Sequence, residues 1–152
     1  MKLWRLCREP HLAMDGAGAS KFGGRYSSPG HPLVSLASEA GLAVLITLRY
    51  LLPDQLELHS DFMLGWTQVD AEPERVPDLP RAETIVYIDT WLETKRSLLA
   101  AIQSKVLPEA DVILLNPRHP DAAFVQPLLT RPFSFAECLH RPPMLDAFRS
   151  KQ

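Results

Sequence analysis

The chain has little of what disulfide-rich, zinc-binding and membrane-spanning proteins need. Its 152 residues include two cysteines, Cys7 and Cys138, which lie near opposite ends and form no CxxC pair. This excludes a disulfide framework and indicates reduced thiols in a cytoplasmic protein. The longest apolar stretch, residues 42–52, is interrupted by Thr47 and Arg49 and is too short to cross a bilayer.

The sequence also lacks a leader, an excess of positive charge and the familiar catalytic motifs. Residues 1–13 contain no apolar run long enough for a signal peptide, which again favours a cytoplasmic location. The formal net charge of −2 argues against direct binding to nucleic acid, which requires a basic surface. No phosphate-loop, dinucleotide-binding, zinc-protease or serine-hydrolase motif is found, and the five histidines show no metal-ligand spacing. We therefore expect no metal.

Fourteen prolines are the most prominent feature that is present. Proline restricts its own φ and disfavours helix in the residue before it, so short elements joined by fixed turns are expected. Several strands without regular βαβ alternation predict a single α+β domain over residues 1–152, with a mixed sheet and short helices. The predicted strands are residues 3–6, 33–37, 55–69, 84–88, 111–115 and 132–136. Short helical pieces are predicted over 89–97 and 119–128, while 98–103 fits either a helix or a strand.

One longer helix follows the second predicted strand. Ser38 and Glu39 predict its start, with Ser38 as the N-cap and an acid in the first turn. The helix is expected to run to about Leu52, because Pro53 stops it. Apolar residues lie on nearly all of its faces, which predicts a buried helix.

A long loop precedes that strand and is the best candidate for a ligand site. Residues 13–30 contain most of the seven glycines, and Gly23 and Gly24 lead directly into Arg25 and Tyr26. Glycine lets a ligand approach the backbone, and a guanidinium binds phosphate or carboxylate with two hydrogen bonds. An aromatic ring beside it can stack on a base or on nicotinamide. The alternative is a solvated turn with an incidental arginine, and the residue pattern alone favours that alternative.

Taken in order, the motifs of the chain resemble the RES domain family, named for an arginine, a glutamate and a serine. The resemblance covers nearly the whole chain and depends on the combination of motifs. The matching segments are Trp4-Arg5, Gly23-Gly24-Arg25-Tyr26, the strand 32–37, the helix 38–52, Ser104 with Pro108, the strand end 114–120 and residues 132–135.

The resemblance implies an ADP-ribosyltransferase-like fold and a toxin that consumes NAD as its substrate. The nicotinamide–ribose bond would be cleaved, and ADP-ribose would pass to a protein target, phosphate or water. A cognate antitoxin with a helix-turn-helix, Xre-like part would bind the toxin and inhibit it. In this family register Arg25 and Arg5 would bind the diphosphate, with Gly24 letting it approach the backbone. Tyr26 would stack on nicotinamide, and Ser104 would hydrogen-bond the cofactor.

Two positions expected to carry the chemistry depart from the family pattern. The family carries a tyrosine ten residues after Arg25 and a glutamate eleven residues further on, whereas this chain has Ser35 and Ile46. Both positions, with Arg25, are where the catalytic groups are expected. Three hypotheses follow. Another acid, Glu39 or Asp15, replaces the glutamate in catalysis. Alternatively, the chain is an impaired homologue that binds a nucleotide or the antitoxin, or it is an engineered, detoxified form.

Overall fold

The computed structural model describes residues 1–51 and 61–138, and a seven-stranded mixed sheet forms its centre. The strands are β1 Lys2–Arg8, β2 Val34–Ala37, β3 Phe62–Gln68, β4 Glu74–Arg75, β5 Leu99–Gln103, β6 Asp111–Leu115 and β7 Leu129–Pro132. Their order across the sheet is β4-β5-β6-β2-β1-β3-β7, and only the β4–β5 pair is parallel. Strand β2 therefore lies in the middle.

Four helices accompany the sheet in the described residues. They are α1 Ala17–Phe22, α2 Ala40–Tyr50, α3 Arg81–Thr94 and α4 Phe135–Cys138. Two single turns of 3-10 helix, Glu9–His11 and Pro120–Phe124, complete the set. A mixed sheet with short helices confirms the α+β class. The extension of one domain over all of residues 1–152 stays a prediction.

The sheet buries apolar side chains on both faces, because successive residues of a strand point to opposite sides. On one face, here called the helical face, strand residues pack against α2 and α3. The buried contacts of these helices are Leu42 and Ala43 of α2, and Ile88, Trp91 and Leu92 of α3. The other face holds a second cluster. Its buried strand residues are Leu3, Val34, Leu36, Leu99, Ala101, Ile113 and Leu115.

Most of the predicted strands are confirmed. Strands β1, β2 and β6 lie where residues 3–6, 33–37 and 111–115 predict them. The predicted strand 55–69 is confirmed by β3 from Phe62 onward, and its first part lies outside the described residues. Residues 98–103, which fit a helix or a strand, form β5, and the helical turn predicted within 119–128 is present at Pro120–Phe124.

The prediction of a strand at residues 84–88 was wrong, since these residues form the middle of α3. Their β-branched and aromatic side chains favour a strand, but intrinsic propensity yields to tertiary packing. Ile88, Trp91 and Leu92 are buried at a spacing of three and four residues, which a helix requires. The separate short helix predicted at 89–97 is therefore the second half of α3.

The start of α2 also differs from the prediction. Ser38 does not cap the helix: its Oγ accepts a hydrogen bond from the Asp111 N–H at 2.9 Å, and its own N–H donates to the Asp111 carbonyl at 3.0 Å. These bonds tie the end of β2 to β6, and the helix begins two residues later. The prediction that α2 is buried on all its faces was also wrong, because Leu45 and Tyr50 are exposed.

Two further corrections concern the glycine loop and the last strand. The loop 13–30 contains the short helix α1. The last strand, β7, ends at Pro132, so the strand predicted over 132–136 was placed too late. Phe135 instead begins α4, because its ring packs edge-on against Phe62 and Phe133, with ring centres 4.9 and 5.1 Å apart.

The helical conformation of α3 makes a testable prediction. Residues two apart share a face in a strand but not in a helix, and Ile88 is fully buried whereas Val86 is exposed. We expect Ile88→Ala to lower the free energy of unfolding by about 2–5 kcal/mol. Val86→Ala, the matched control, should change it by less than about 0.5 kcal/mol. Urea unfolding followed by circular dichroism measures both, and equal losses would contradict the helix.

Candidate functional site

The glycine loop and the end of α2 bring two arginines and two tyrosines together. The Arg25 Nη1 donates to the Tyr50 hydroxyl at 3.3 Å, and the Arg25 guanidinium lies 5.8 Å from the centre of the Tyr26 ring. Tyr26 also interacts electrostatically with Arg49 and Tyr50. We call Arg25, Tyr26, Arg49 and Tyr50 the arginine–tyrosine cluster.

Glycines shape the loop that carries the first half of this cluster. Gly23 adopts a φ of +69°, and a Cβ there would lie 2.9 Å from the Pro29 ring, so any other residue would strain the turn. The Gly24 N–H donates to the Ser27 carbonyl at 2.9 Å and closes the turn around Arg25. A Cβ on Gly24 would meet open space, so the backbone there is accessible to a ligand.

The electrostatics of the cluster are those of an anion site. Burial raises the pKa of Tyr26, while the positive charges of Arg25 and Arg49 partly offset that rise. The hydrogen bond to Tyr50 is the main cause of a raised pKa at Arg25, so its guanidinium stays charged. Within the described part of the chain, neither Arg25 nor Arg49 forms an ion pair with a carboxylate. Two such cations suit a ligand with two negative charges, such as a diphosphate.

An opening in the helical layer lies over the middle strand. Ser35 and Ala37 of β2 point to the helical face, since Val34 and Leu36 belong to the opposite cluster. Ala37 is buried, but Ser35 is exposed, although β2 has three strands on either side. The layer of helices therefore leaves the sheet uncovered at Ser35.

Ile46 lies on the helical face as well. It is half-buried and packs against the same core cluster of the helical face as Tyr26. It also precedes Tyr50 by one helical turn, so the two side chains share one side of α2. The whole of α2 contains no Asp or Glu. The position where a glutamate is expected therefore presents an apolar surface.

Two residues predicted for the site are not brought to the cluster. Arg5 alternates with Trp4 and Leu6 of the helical face and therefore points to the other side of the sheet, where it contacts Cys7. Burial raises the pKa of that thiol, and Arg5 partly opposes the rise. Ser104 lies in the turn after β5, and its Oγ accepts a bond from the Leu107 N–H at 3.2 Å.

The two hypothetical substitute acids stand at the starts of two helices. Glu39 is exposed at the first end of α2, eleven residues before Tyr50, which corresponds to about 16 Å along the helix. The Asp15 carboxylate accepts a hydrogen bond from the Ala17 N–H at 3.0 Å and thereby supports the start of α1. Glu39 is therefore too far along α2 to serve the arginine–tyrosine cluster, and the Asp15 carboxylate is engaged at the start of α1.

Sequence reasoning missed Arg49 and Tyr50. The signal was present, because positions three and four residues after Ile46 share its side of a helix. Once residue 46 is assigned to a ligand site, Arg49 and Tyr50 become its neighbours. In the described residues no three His, Cys, Asp or Glu side chains come together as metal ligands. No helix there is long and apolar enough to cross a membrane.

Comparison with known proteins identifies relatives of this chain. The model of the RES domain matches residues 2–136. A protein named Toxin Res from Yersinia enterocolitica is 34% identical over 132 residues, which cover 78% of this chain and 86% of that protein. A Prs ADP-ribosylating toxin from Sphingobium sp. strain YBL2 is 30% identical over 145 residues, covering 78% and 84%.

A solved structure shares the fold. The crystal structure of the M. tuberculosis MbcT-MbcA toxin–antitoxin complex contains a chain that matches with a TM-score of 0.64 and 14% identity. The match covers 90% of this chain and 85% of that one. At this identity the likeness shows the fold alone.

The opening over Ser35 can be tested by filling it. We expect Ser35→Tyr to change the free energy of unfolding by less than about 0.5 kcal/mol, because the ring has room above the sheet. Leu36→Tyr is the matched control: Leu36 is buried on the opposite face, and overpacking there costs about 1–3 kcal/mol. Thermal and urea unfolding measure both, and an equal loss in the two variants would show that the opening does not exist.

Proposed function

Because this chain belongs to the RES domain family, we propose that it is the toxin of a bacterial toxin–antitoxin module that consumes NAD. The bond between the ribose C1′ and the nicotinamide nitrogen breaks, and its electron pair leaves with nicotinamide. A nucleophile from a protein side chain, phosphate or water then attacks C1′ and loses its proton to solvent. ADP-ribose ends on that acceptor.

One observation carries this proposal: the arginine–tyrosine cluster gathers two cations and two aromatic rings on the helical face of the sheet. Arg25 and Arg49 supply two positive charges that no described carboxylate neutralises, and the diphosphate of NAD carries two negative charges. Charge-assisted hydrogen bonds from guanidinium groups are the strong class of such contacts. The half-buried ring of Tyr26 offers a flat surface for nicotinamide. Gly24, without a side chain, lets the ligand come close to the backbone.

The relatives support the same assignment. Two of them are named as toxins, and the name of the Sphingobium protein includes ADP-ribosylation. The structural neighbour comes from a toxin–antitoxin complex, which supports an antitoxin as partner. We propose a helix-turn-helix, Xre-like antitoxin that covers the cluster. A site with unpaired arginines fits an acidic segment or a terminal carboxylate of that partner.

A second candidate function follows from Ile46. Isoleucine cannot stabilise the positive charge that develops on the ribose as nicotinamide leaves, and α2 carries no acid in its place. The chain would then bind the nucleotide or the antitoxin without turning NAD over. The two functions share the binding site and differ only in the chemical step.

The binding role of Arg25 can be tested directly. We expect Arg25→Ala to weaken NAD binding by about 1.5–3 kcal/mol, the usual loss for a hydrogen bond to a charged group. Arg25→Lys should also lose affinity, because lysine lacks the planar fork of the guanidinium. Arg118→Ala, which removes an exposed arginine outside the cluster, is the control and should bind like the wild type. Titration calorimetry that shows unchanged affinity in both Arg25 variants would remove Arg25 from the site.

The two departures from the family pattern can be tested together. Purified wild type and the double variant Ile46→Glu with Ser35→Tyr are incubated with NAD, and free nicotinamide is quantified. We expect the double variant to release nicotinamide faster, by up to a factor of about 100 to 1,000, because it regains the electrostatic group. A measurable wild-type rate favours the enzyme over the binding module. A wild type at least as fast as the double variant would show that position 46 is not a vacated catalytic site.

A further inference from the structure

The glycine loop is attached to α3 through a compact group of four polar residues. The Ser28 N–H donates to the Asp89 carboxylate at 3.0 Å, and the Ser28 hydroxyl donates to its other oxygen. The His31 Nε2 lies 2.8 Å from the Glu93 carboxylate, and its Nδ1 lies 3.6 Å from Asp89. We call Ser28, His31, Asp89 and Glu93 the loop clamp.

The hydrogen bonds of the clamp define the protonation state of His31. Its Nε2 faces a carboxylate oxygen of Glu93, which only accepts. Its Nδ1 faces the Ser28 carbonyl at 3.2 Å and the Ser28 Oγ at 3.1 Å, and the proton of that hydroxyl is directed to Asp89. Both ring nitrogens therefore meet acceptors. Only the imidazolium, which has an N–H on each nitrogen, satisfies them both.

The charges around His31 also favour its protonated form. The groups that face it are Glu93 and Asp89 of α3 and the backbone of Ser28 and Pro29, with no basic side chain among them. The hydrogen bond to Glu93 is the largest of the effects that raise the pKa of His31, and burial opposes it. Protonated His31 therefore stabilises the fold fully below the pKa of an unfolded histidine, near 6.5. This stabilisation is lost as pH rises through the higher pKa of His31 in the folded chain.

Ser28 and His31 of the clamp follow Arg25 of the proposed site by three and six residues. Arg25 of the loop bonds to Tyr50 of α2, and Ser28 and His31, which follow it, bond to Asp89 and Glu93 of α3. The loop therefore bridges the two helices of the helical face, and its attachment to α3 determines where Arg25 and Tyr26 stand. Release of the bonds to α3 would leave the Arg25–Tyr50 hydrogen bond of 3.3 Å and the packing of Tyr26 against the core.

We propose that His31 and Asp89 are positioning residues for NAD, with Asp89 orienting Ser28 and protonated His31 fastening the loop to Glu93. The inference rests on the proposed NAD site and assigns it a dependence on pH. NAD affinity should be highest where His31 is charged and should decrease as His31 loses its proton. The effect belongs to KM and Kd, since neither residue touches the bond that breaks.

The test uses the full chain at about pH 5.5 and about pH 9, on either side of the histidine titration. The ¹⁵N shifts of the His31 ring should show both nitrogens protonated at the lower pH. Hydrogen exchange, corrected for the intrinsic rate at each pH, should show the Ser28 amide protected at low pH and less protected at high pH. We expect the difference to be roughly three- to tenfold, because the pair is partly exposed to solvent.

Three variants separate positioning from a general loss of structure. His31→Gln should show the weak protection and the weak NAD binding of the high-pH state at both pH values. His31→Lys keeps a positive donor at high pH and should retain both properties there. Asp89→Asn should weaken protection of the Ser28 amide and raise KM, with kcat and the thermal midpoint little changed. His11→Gln, at an exposed histidine outside the clamp, is the matched control.

The outcomes distinguish this inference from the function on which it rests. A ring with one unprotonated nitrogen at low pH, or His31→Gln with wild-type protection and wild-type NAD affinity, overturns the clamp. Loss of Ser28 protection with unchanged NAD affinity overturns the positioning role alone. A wild-type chain that binds no NAD at either pH refutes the proposed function and the positioning role with it, while the exchange data still decide whether the clamp exists.

Discussion

Packing of α2 and α3 onto one face of the sheet is the constraint on which the other features depend. The helices bury the helical face through Leu42, Ile88 and Trp91 but leave the middle strand uncovered at Ser35. The glycine loop then spans from one helix to the other. Because the segment from Arg25 to His31 contacts both helices, the position of Arg25 depends on how both helices pack. A change deep in the core can therefore alter the site without touching any of its residues.

Five of the arginines fall into two groups with different physical roles. Arg8, Arg75 and Arg96 each contact both oxygens of one carboxylate, on Asp61, Asp111 and Glu74 respectively. These pairs join segments distant in sequence, and their charges are neutralised within the fold. Arg25 instead bonds to the Tyr50 hydroxyl, and Arg49 interacts electrostatically with Tyr26, so both positive charges stay available. A cation that is not neutralised within the fold remains able to form strong bonds with a ligand, and this contrast singles out Arg25 and Arg49 for the proposed site.

Sequence patterns predicted the parts of the fold that are determined locally. The apolar run 111–115 and the short segment 33–37 carry their own strand signal, so β6 and β2 were found. Residues 84–88 carry a strand signal too, but α3 is helical because Ile88 and Trp91 must face the sheet together. That requirement comes from residues far away in sequence. Local propensity alone could not reveal it.

The candidate site shows the same division. Arg25 and Tyr26 are adjacent in sequence and follow two glycines, so they could be singled out at once. Their contact with Tyr50 and the bond from Ser28 to Asp89 join residues 25 and 61 positions apart, which no local pattern contains. The family resemblance also placed Arg5 in the site. Strand alternation turns it to the other face, because β1 buries Leu3 on that side.

The two hydrogen bonds between Ser38 and Asp111 have a consequence for biosynthesis. They join residues 73 positions apart, and β2 pairs with β6 along its whole length. During translation, the N-terminal segment that carries Arg25, Tyr26 and Tyr50 leaves the ribosome long before either β6 or α3 is available to support it. Contacts of such long range form late, after most of the chain has been made. A ribosome-bound fragment would therefore carry Arg25 and Tyr26 without the contacts to α3 that hold their loop, and the cluster would take its final form only after α3 and β6 have been made.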